Sequence, residues 1–329
     1  MKVACYGAST LESKLLKELN IYNYDLKLIE KNLEKNNVCD ANNADAVLVR
    51  GNCNVDATNI KALKACGVKY ILTRSAGYNH INLQEAKKAN ILVARVPIYS
   101  PNAIAELAVT LSLMLLRHTA YTTYKTSKKD FTIDEFMYSK ELRNCTVGII
   151  GVGNIGQVSA KLFKGFGAKV VGYDIAPSAS TKEYLEFLEL EELLNISDIV
   201  SVHVPYVRGV NDKFINKNFL AQMKKSAILI NTSRGAIQDE KAILEAIEQN
   251  NIEAYGSDVL NNEVDFFRKD MQGKKLDDTL EKLISYYPRV LITPHIGAYT
   301  DTATTNLISI SFDNLNEFLT MGFCQNQMF

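Results

Sequence analysis

Apolar and polar residues alternate along the first hundred positions in a way that predicts strands separated by helices. Short apolar runs with the length and composition of strands occupy residues 3–6, 26–29, 46–49, 70–73 and 91–94. Helical spacing recurs over residues 11–19, whose leucines form one face behind a Ser-Thr cap, and over residues 59–65. Because strands that alternate with helices form parallel sheets, this part of the chain predicts a parallel α/β domain.

A second alternating series begins at residue 147 and is long enough to form a sheet of its own. Six strand-like runs occupy residues 147–150, 169–173, 199–204, 228–231, 255–259 and 290–293. Five helical segments connect them at residues 157–166, 189–194, 216–224, 239–249 and 276–285. Six strands with five crossovers complete a doubly wound sheet. The tail beyond about Tyr299 continues as a helix, which we expect to pack on the first domain.

The composition is that of an ordinary globular protein of about two domains. Of its 329 residues, 47% are hydrophobic and 22% are charged, which excludes a disordered or collagen-like chain. The 37 basic residues balance 37 acidic ones, so no net charge attracts nucleic acid or anionic lipid. We therefore expect a small-molecule ligand, captured at a local site, and no nucleic-acid partner.

Cysteine usage and the hydrophobic runs predict a cytoplasmic protein without a metal site. The six cysteines include no C-x-x-C pair and have no histidine at zinc-binding spacing. The first residues, MKVACYGAST, contain no apolar signal-peptide region. The longest apolar stretch, residues 104–116, is interrupted by Glu106 and is too short to span a bilayer. These features favour reduced thiols, a reducing cytosol and no membrane association.

A glycine-rich motif follows the first strand of the second series. The run VGIIGVGNIG has Gly151, Gly153 and Gly156 in the spacing G-x-G-x-x-G between an apolar strand and a helix. These glycines permit a tight turn, close approach of a pyrophosphate and close packing of helix on strand. The backbone N–H groups of Asn154 and Ile155 then face the phosphates. A bare glycine triplet also fits an ordinary turn, but the flanking elements favour a dinucleotide site.

An acidic residue in the expected place indicates which dinucleotide binds. Asp174 ends the next strand, 18 residues beyond Gly156. Its carboxylate can accept hydrogen bonds from the adenosine ribose hydroxyls and would repel a 2′-phosphate. The sequence therefore predicts NAD as the cofactor in preference to NADP.

Three chemically complementary residues follow strands of the second series. Arg234 comes after the run ILINTS, Glu263 lies in the loop after YGSDV, and His295 follows VLITP. Ligands of open parallel sheets bind beyond the carboxyl ends of the strands, where the nicotinamide is also expected. A cation, a carboxylate and an imidazole in this position suit hydride transfer to a 2-oxo acid.

Each of the three residues has a role in that reaction. His295 can protonate the carbonyl oxygen, and Glu263 can orient the imidazole and favour its charged form. Arg234 can hold the substrate carboxylate and polarise the carbonyl. Taken singly, Arg234 is also compatible with a surface ion pair and Glu263 with a solvated charge. His203 ends a strand without an obvious acidic partner, so we expect it to be structural or to line the cofactor.

The chain resembles the D-isomer-specific 2-hydroxyacid dehydrogenases over essentially its whole length. The segments that carry the resemblance are VPIYSPNAIAE, VGIIGVGNIGQV, GFGAKVVGYD, INTSRGA and ITPHIGAYT, and they are most similar to the D-lactate dehydrogenase branch. The resemblance implies a Rossmann domain over residues 101–298, inserted into a flavodoxin-like α/β substrate domain formed by residues 1–100 and 299–329. It also implies catalysis in a cleft and a homodimer.

The resemblance also implies further site residues. It supports the three roles given above. Substrate contacts are implied for the backbone of Ala76 and Gly77 in RSAGYNHI and for the pocket residue Tyr99. The cofactor-binding set is completed by Val204, Pro205, Thr232 and Asp258, the last of which tunes the site.

The choice of substrate depends on Arg50 in the segment VLVRGNC. D-lactate dehydrogenases that resemble this chain carry an aromatic residue there, whereas Arg50 offers donors to a second carboxylate. Together with RGNC, the segments ILTRSAG and RNCTVGIIG are most similar to (R)-2-hydroxyglutarate dehydrogenases, which implies the substrate pair 2-oxoglutarate and (R)-2-hydroxyglutarate. From the residues alone, pairing of Arg50 with a neighbouring acid remains open.

Two other functions remain open at this point. The same kind of enzyme can act on D-lactate or on a branched or aromatic 2-hydroxy acid. An NAD-sensing binding protein is the alternative from another class, because some corepressors resemble these dehydrogenases. Formate dehydrogenase fits less well, since formate oxidation does not require proton transfer to a carbonyl. The apolar surface of residues 101–117 exceeds one helix face, which favours a dimer.

Overall fold

Two parallel sheets organise the chain, one in each of the two units into which the computed structural model divides. One unit comprises Met1–Ser100 and Tyr299–Phe329, and the other comprises Pro101–Ala298. The structure describes residues 1–183 and 185–329. Each unit has its own buried core, so each is described by itself.

The first unit contains a five-stranded sheet of flavodoxin-like order. Its strands are β1 (Lys2–Tyr6), β2 (Asp25–Ile29), β3 (Ala46–Val49), β4 (Tyr70–Thr73) and β5 (Leu92–Arg95). They lie in the order β2-β1-β3-β4-β5, and all neighbours are parallel. The helices are α1 (Thr10–Glu18), α2 (Ala57–Ala65) and α3 (Leu83–Lys88). The parallel α/β fold predicted from the hydrophobic pattern is confirmed, with strand ends that differ by about one residue.

Helix α1 differs from its prediction in the face that it buries. Ser9 caps the helix, and its hydroxyl and the Glu12 carboxylate form a reciprocal capping box. Leu16 is buried, but Leu11 is 51% exposed, whereas Glu12 is only 5% exposed. The predicted leucine face is wrong at Leu11 alone, since Leu15, Leu16 and Leu19 do pack in the core. The Glu12 carboxylate is turned inward because it meets two arginines.

The second unit contains a Rossmann sheet with one strand more than predicted. Its elements are α4 (Pro101–Leu116), α5 (Thr119–Ser127), β6 (Thr146–Ile150), α6 (Asn154–Gly165), β7 (Lys169–Tyr173), α7 (Ala179–Lys182), β8 (Glu186–Phe187), α8 (Leu190–Ile196), β9 (Ile199–Val202), α9 (Lys217–Ala221), β10 (Ile228–Asn231), α10 (Glu240–Glu248), β11 (Ala254–Ser257), α11 (Asp278–Ser285) and β12 (Val290–Ile292). Within the described residues the sheet has seven strands in the order β12-β11-β10-β9-β6-β7-β8.

The strand that the sequence pattern missed is β8, at the edge of this sheet. It is only two residues long, and the first of them, Glu186, is exposed. A run this short shows no apolar alternation, so only its pairing with β7 identifies it as a strand. Read from the β8 edge, the strands run third, second, first, fourth, fifth, sixth and seventh in chain order. The first six follow the order of dinucleotide-binding sheets.

The central strands of the Rossmann sheet are buried on both faces. In β10, Ile228 and Ile230 join one hydrophobic cluster, while Leu229 between them joins another. Successive side chains of a strand point to opposite faces, so helices must cover both sides of the sheet. Because both faces of the sheet are covered by helices, polar side chains are found mainly at the carboxyl ends of its strands.

The last helix, α12 (Asp301–Met321), belongs to the core of the first unit. Thr300 caps its start, and Gly322 ends it in the left-handed conformation with φ +77°. Ile308, Phe312 and Leu315 share a buried cluster with residues of β1, β3 and β4. The tail therefore covers one face of the first sheet.

Neither a membrane span nor a metal cluster emerges from the described residues. No single helix there has the length and apolar composition needed to cross a membrane, although α4 and α5, bent by 68°, meet the criterion as a pair. No group of three or more His, Cys, Asp or Glu side chains in the described part of the chain is arranged to hold a metal ion. All six cysteines are free thiols.

We expect Phe312→Ala to lower the free energy of unfolding by about 3–5 kcal/mol, because Phe312 is 1% exposed and its removal leaves a cavity. Leu319→Ala, on the same helix but 39% exposed, is the matched control and should change it by no more than about 0.5 kcal/mol. Urea unfolding of the variants measures the difference. Equal effects would contradict the packing of α12 described above.

Candidate active site

Three neighbouring strands of the second unit carry the predicted reactive residues beyond their carboxyl ends. In the parallel register of β10, β11 and β12, Asn231 lies beside Ser257, and Ser257 beside Ile292. Arg234, three residues beyond Asn231, follows β10. Glu263 follows β11 and His295 follows β12. The loops that bear all three side chains therefore leave adjacent strands at one edge of the sheet.

The imidazole of His295 is held by the carboxylate of Glu263. His295 Nδ1 lies 2.5 Å from Glu263 Oε1, and the other carboxylate oxygen, Oε2, accepts a hydrogen bond from the Leu260 backbone N–H at 3.0 Å. The side chains are 35% and 19% exposed, respectively. Because Nδ1 is engaged and the carboxylate is fixed at both oxygens, Nε2 is the ring atom that remains to exchange a proton with a ligand.

Asp258 binds the residues that flank His295. Its carboxylate accepts hydrogen bonds from Thr293 Oγ1 at 2.6 Å and from the N–H groups of Ile296 and Gly297, both at 2.8 Å. Burial raises the pKa of Asp258, and these hydrogen bonds oppose that shift. His295 itself has φ +55°, in the left-handed region. The aspartate thus stabilises an unusual backbone turn that presents the imidazole.

Arg234 carries a positive charge that its own unit leaves without a carboxylate. Its Nη1 donates to the Ser233 carbonyl at 2.7 Å, and its backbone carbonyl accepts from Asn231 Nδ2 at 3.2 Å. Among the described residues, no carboxylate forms an ion pair with its guanidinium group. Unlike an arginine in a surface ion pair, this side chain retains donors for an anionic ligand.

The glycine motif has the geometry that a dinucleotide requires. Gly151 has φ +86°, and a Cβ there would meet the His203 and Val204 backbone at 2.9 Å. A Cβ on Gly156 would overlap the Gly151 carbonyl oxygen, so α6 packs directly on the turn. By contrast, nothing lies within 4 Å of a Cβ built on Gly153, which leaves the middle of the loop open to a ligand.

The other predicted cofactor residues surround this loop. Asn154 and Ile155 are the first residues of α6, where backbone N–H groups lack partners within the helix. Asp174 follows β7, and its Oδ2 accepts from the Val152 N–H of the glycine loop at 2.7 Å. Its carboxylate therefore stands beside the motif, as ribose recognition requires.

Buried polar atoms at two strand ends also fit a cofactor. Thr232, directly after β10, has a buried Oγ1 without a hydrogen-bond partner in the described part of the chain. The same holds for Nδ1 of His203, which follows β9 and precedes Val204 and Pro205. Burial lowers the pKa of His203 to about 4, so this imidazole is neutral near pH 7. Buried, uncharged polar atoms without partners at the ends of β9 and β10 are suited to hydrogen bonding with a bound nucleotide.

In the first unit, Arg50 lies after β3 in a buried charged cluster. Its Nη1 donates to Glu12 Oε2 at 2.7 Å and to the Gly7 carbonyl at 3.3 Å. Arg74, directly after β4 and 5% exposed, donates to Glu12 Oε1 at 3.0 Å and to the Tyr6 carbonyl at 2.6 Å. The acidic partner that the sequence left open for Arg50 therefore exists. Two guanidinium groups therefore share one carboxylate.

The remaining predicted substrate residues lie on loops of the same unit. The carbonyl of Ala76 accepts from Arg95 Nη1 at 3.0 Å, and that of Gly77 accepts from Ser75 Oγ at 2.7 Å. Asn306 Nδ2 of α12 donates to the Tyr99 carbonyl at 2.6 Å. These bonds occupy carbonyl oxygens and order the segments from which the backbone N–H groups of Ala76 and Gly77 project.

Sequence reasoning missed three residues that organise these sites. Glu12 could have been found from the Ser9-x-x-Glu12 capping-box spacing, although its pairing with arginines could not. Arg74 stands directly after a predicted strand, as a ligand-binding residue often does. No sequence pattern identifies Thr293, because its hydrogen bond to Asp258 joins positions 35 residues apart.

Comparison with known proteins agrees with this geometry. The family model for the D-isomer specific 2-hydroxyacid dehydrogenase NAD-binding domain matches residues 109–297, more than half of the chain. An aromatic 2-oxoacid reductase of Clostridium sporogenes (strain ATCC 15579) is 36% identical over 330 residues, covering 99% of each chain. A D-2-hydroxyacid dehydrogenase (NAD(+)) of Clostridioides difficile is 34% identical, covering 100% of each.

Solved structures have the same architecture. The crystal structure of a D-lactate dehydrogenase from Treponema pallidum superposes with a TM-score of 0.88 at 32% identity and covers 100% of both chains. Similarity of this extent includes both units. The chain therefore carries an NAD-binding domain and belongs to the D-isomer-specific 2-hydroxyacid dehydrogenases, which makes it an NAD-dependent oxidoreductase acting on CH–OH groups.

Proposed function

We propose that the chain catalyses the reversible, NADH-dependent reduction of 2-oxoglutarate to (R)-2-hydroxyglutarate. The observation that carries the reaction type is the 2.5 Å contact between His295 Nδ1 and Glu263 Oε1 at the ends of adjacent strands. It pairs a proton donor with the carboxylate that orients it, as reduction of a carbonyl to an alcohol requires. The observation that supports a dicarboxylate substrate is the pair of guanidinium groups, those of Arg50 and Arg74, at the ends of β3 and β4.

His295 is the general acid of the reduction. Bound NADH supplies the hydride that becomes the new C2–H bond. His295 donates its Nε2 proton to the carbonyl oxygen and becomes neutral, and in the oxidative direction it takes the proton back. Glu263 accepts the Nδ1–H, which fixes the ring orientation. Such general acid–base assistance contributes about 10²–10⁴-fold in rate.

Arg234 binds the carboxylate next to the reacting carbonyl. Its guanidinium has no carboxylate partner within the described residues of its own unit, so a ligand anion can take that position. Charge-assisted hydrogen bonds from arginine also polarise the carbonyl as negative charge develops on its oxygen. The backbone N–H groups of Ala76 and Gly77 and the Tyr99 side chain complete the proposed substrate contacts.

Arg50 binds the second carboxylate of 2-oxoglutarate. Arg50 and Arg74 share the Glu12 carboxylate, and the Nε of Arg74 is buried without a partner among the described residues. A second substrate carboxylate would accept charge-assisted hydrogen bonds from guanidinium groups at this place, whereas the methyl group of pyruvate would not. Residues 1–100 and 299–329 thus form the substrate domain, and residues 101–298 the NAD domain.

A second candidate is the same reaction on D-lactate or on an aromatic or branched 2-hydroxy acid. The contact between Arg50 and Glu12 favours it, because Arg50 already has an anionic partner. The names of the relatives point the same way, since one is an aromatic 2-oxoacid reductase and another a D-lactate dehydrogenase. Kinetics with several 2-oxo acids distinguish the two candidates.

We also propose that the enzyme is a cytoplasmic homodimer. In the second unit, Phe131, Ile133 and Tyr138 are 76%, 88% and 92% exposed, respectively. Large apolar side chains exposed this close together along the chain are typical of an interface between subunits. A second copy of the chain is the proposed occupant, because a dimer with twofold symmetry is the commonest form of soluble homo-oligomers.

We expect His295→Asn to lower kcat by about 10²–10⁴-fold while leaving the Kd for NADH unchanged. Asparagine is chosen because it tolerates the left-handed backbone of this position, where φ is +55°. His118→Asn is the matched control, since His118 also has a positive φ, +51°. Stopped-flow kinetics and NADH fluorescence titration measure the two quantities. A kcat above a tenth of the wild-type value in His295→Asn would exclude it as the general acid.

For Arg50→Leu, the ratio of kcat/KM for 2-oxoglutarate to kcat/KM for pyruvate should fall by about tenfold to a hundredfold, because a charge-assisted hydrogen bond is lost. Arg50→Lys, which keeps the charge, should give an intermediate ratio. The comparison includes 2-oxoisocaproate and phenylpyruvate as substrates. If wild type prefers pyruvate, or if Arg50→Leu leaves the ratio unchanged, the dicarboxylate assignment is wrong.

Light scattering after gel filtration should give twice the chain mass of 36.7 kDa. The double variant Phe131→Ser, Ile133→Asp should give a monomer, because it places polar groups in the proposed interface. Ile21→Asp, at a 72% exposed position of the first unit, is the control and should remain a dimer. A wild-type mass of one chain would refute the homodimer.

A further inference from the structure

A buried amide lies beneath the loops that carry Arg234 and Glu263. Gln238 is 0% exposed and follows the turn after Arg234. Its Oε1 accepts hydrogen bonds from Asn231 Nδ2 at 2.7 Å and from the Tyr255 hydroxyl at 2.8 Å. Its Nε2 donates to the Val259 carbonyl at 3.1 Å and to Glu240 Oε1 at 3.4 Å. Every hydrogen-bonding position of this amide is therefore in use.

The partners of Gln238 belong to both reactive loops. Asn231 Nδ2, which donates to the Gln238 side chain, also donates to the Arg234 carbonyl at 3.2 Å. Val259, which accepts from Gln238, directly precedes Leu260, whose N–H holds Glu263 Oε2. One amide thus connects the main chain of the arginine loop to the segment that orients the glutamate.

The two loops also touch through their backbones. A Cβ on Gly235 would overlap the Leu260 carbonyl group, so the residue after Arg234 packs directly on the residue that holds Glu263. Asn261 reinforces the contact, because its Nδ2 donates to the Gln238 carbonyl at 3.2 Å and its N–H to Glu240 Oε1 at 2.6 Å. A displacement of one loop is therefore transmitted to the other.

The position itself does not require a polar side chain for packing. Ile237 beside it and Ile243 on α10 belong to a hydrophobic cluster, and an apolar side chain of similar volume would fill the same space. A buried amide costs desolvation unless all its partners are present, and its geometry is correspondingly strict. Its specific contribution is to fix the relative position of the groups to which it bonds.

We propose that Gln238 is a positioning residue that sets Arg234 relative to Glu263, and through Glu263 sets His295. This inference rests on the catalytic roles proposed above for Arg234 and Glu263. Gln238 acts only through these residues and needs no contact with substrate or cofactor. Its effect should therefore fall on kcat, because misplacement of reacting groups by about 1 Å costs on the order of 10²-fold in rate.

The test compares Gln238→Met with Tyr255→Phe. The methionine matches the volume of glutamine but breaks all the amide's bonds, whereas Tyr255→Phe removes one partner of the same oxygen on the strand side and leaves both loops connected. We expect both variants to lower Tm by a few degrees. Only Gln238→Met should lower kcat, by about tenfold to a hundredfold, with the KM for the best 2-oxo acid and the Kd for NADH within twofold.

Coupling with the catalytic residues completes the experiment. In an Arg234→Lys or Glu263→Gln background, Gln238→Met should reduce kcat much less than it does in wild type, because the residue it positions is already impaired. If Gln238→Met does not fold, Gln238→Asn provides the same comparison, since its shorter amide cannot reach both loops.

The outcomes separate this inference from the proposed function. Equal losses of kcat in Gln238→Met and Tyr255→Phe, or a kcat within twofold of wild type in Gln238→Met, would overturn the positioning role alone. Wild-type kcat in both Arg234→Lys and Glu263→Gln would overturn the proposed catalytic roles together with it. Because the assay uses whichever 2-oxo acid is turned over best, failure of the 2-oxoglutarate assignment affects neither result.

Discussion

The parallel register of β10, β11 and β12 is the constraint on which the candidate active site depends. Parallel strands end at the same edge, so residues that follow Asn231, Ser257 and Ile292 emerge side by side. The contact between His295 and Glu263 spans 32 positions in the chain and exists only because β11 and β12 are neighbours. A shift of one residue in this register would turn every side chain of a strand to the opposite face.

Buried polar side chains hold the loops at this edge of the sheet in place, because hydrophobic packing alone would not fix their positions. Asp258 bonds to the Thr293 hydroxyl before His295 and to two backbone N–H groups after it, and Gln238 joins the segments after β10 and β11. Each of these groups is costly to bury and is tolerated because its hydrogen bonds are satisfied. Rigid support of this kind suits a reaction whose rate depends on accurate placement of a proton donor.

The arginines of the two units differ in their carboxylate partners. Arg234 has no carboxylate partner among the described residues of its unit, whereas Arg50 and Arg74 share Glu12. Sharing one carboxylate lowers the cost of burying the two cations. Because the Glu12 carboxylate holds both side chains, their guanidinium groups lie at defined positions beside each other.

The sequence by itself determined the two sheets, the glycine loop and the order of Arg234, Glu263 and His295 along the chain. These features are local, because strand and helix periodicity and the G-x-G-x-x-G spacing are set by neighbouring residues. The two-residue strand β8 was missed because it has no period to detect. The sequence did not predict that the Glu12 side chain is buried, because its partners Arg50 and Arg74 are 38 and 62 residues away along the chain.

The tertiary structure alone decided which polar groups meet. Two sets of buried hydrogen bonds illustrate this. Thr293 bonds to Asp258, and Gln238 bonds to Asn231 and Tyr255. No sequence motif links the members of either set. Hydrogen bonds act over about 3 Å, so they exist only after the strands have paired and the loops have packed. The periodicity of apolar residues therefore predicts helices and strands, whereas the contacts between polar side chains depend on how these elements pack.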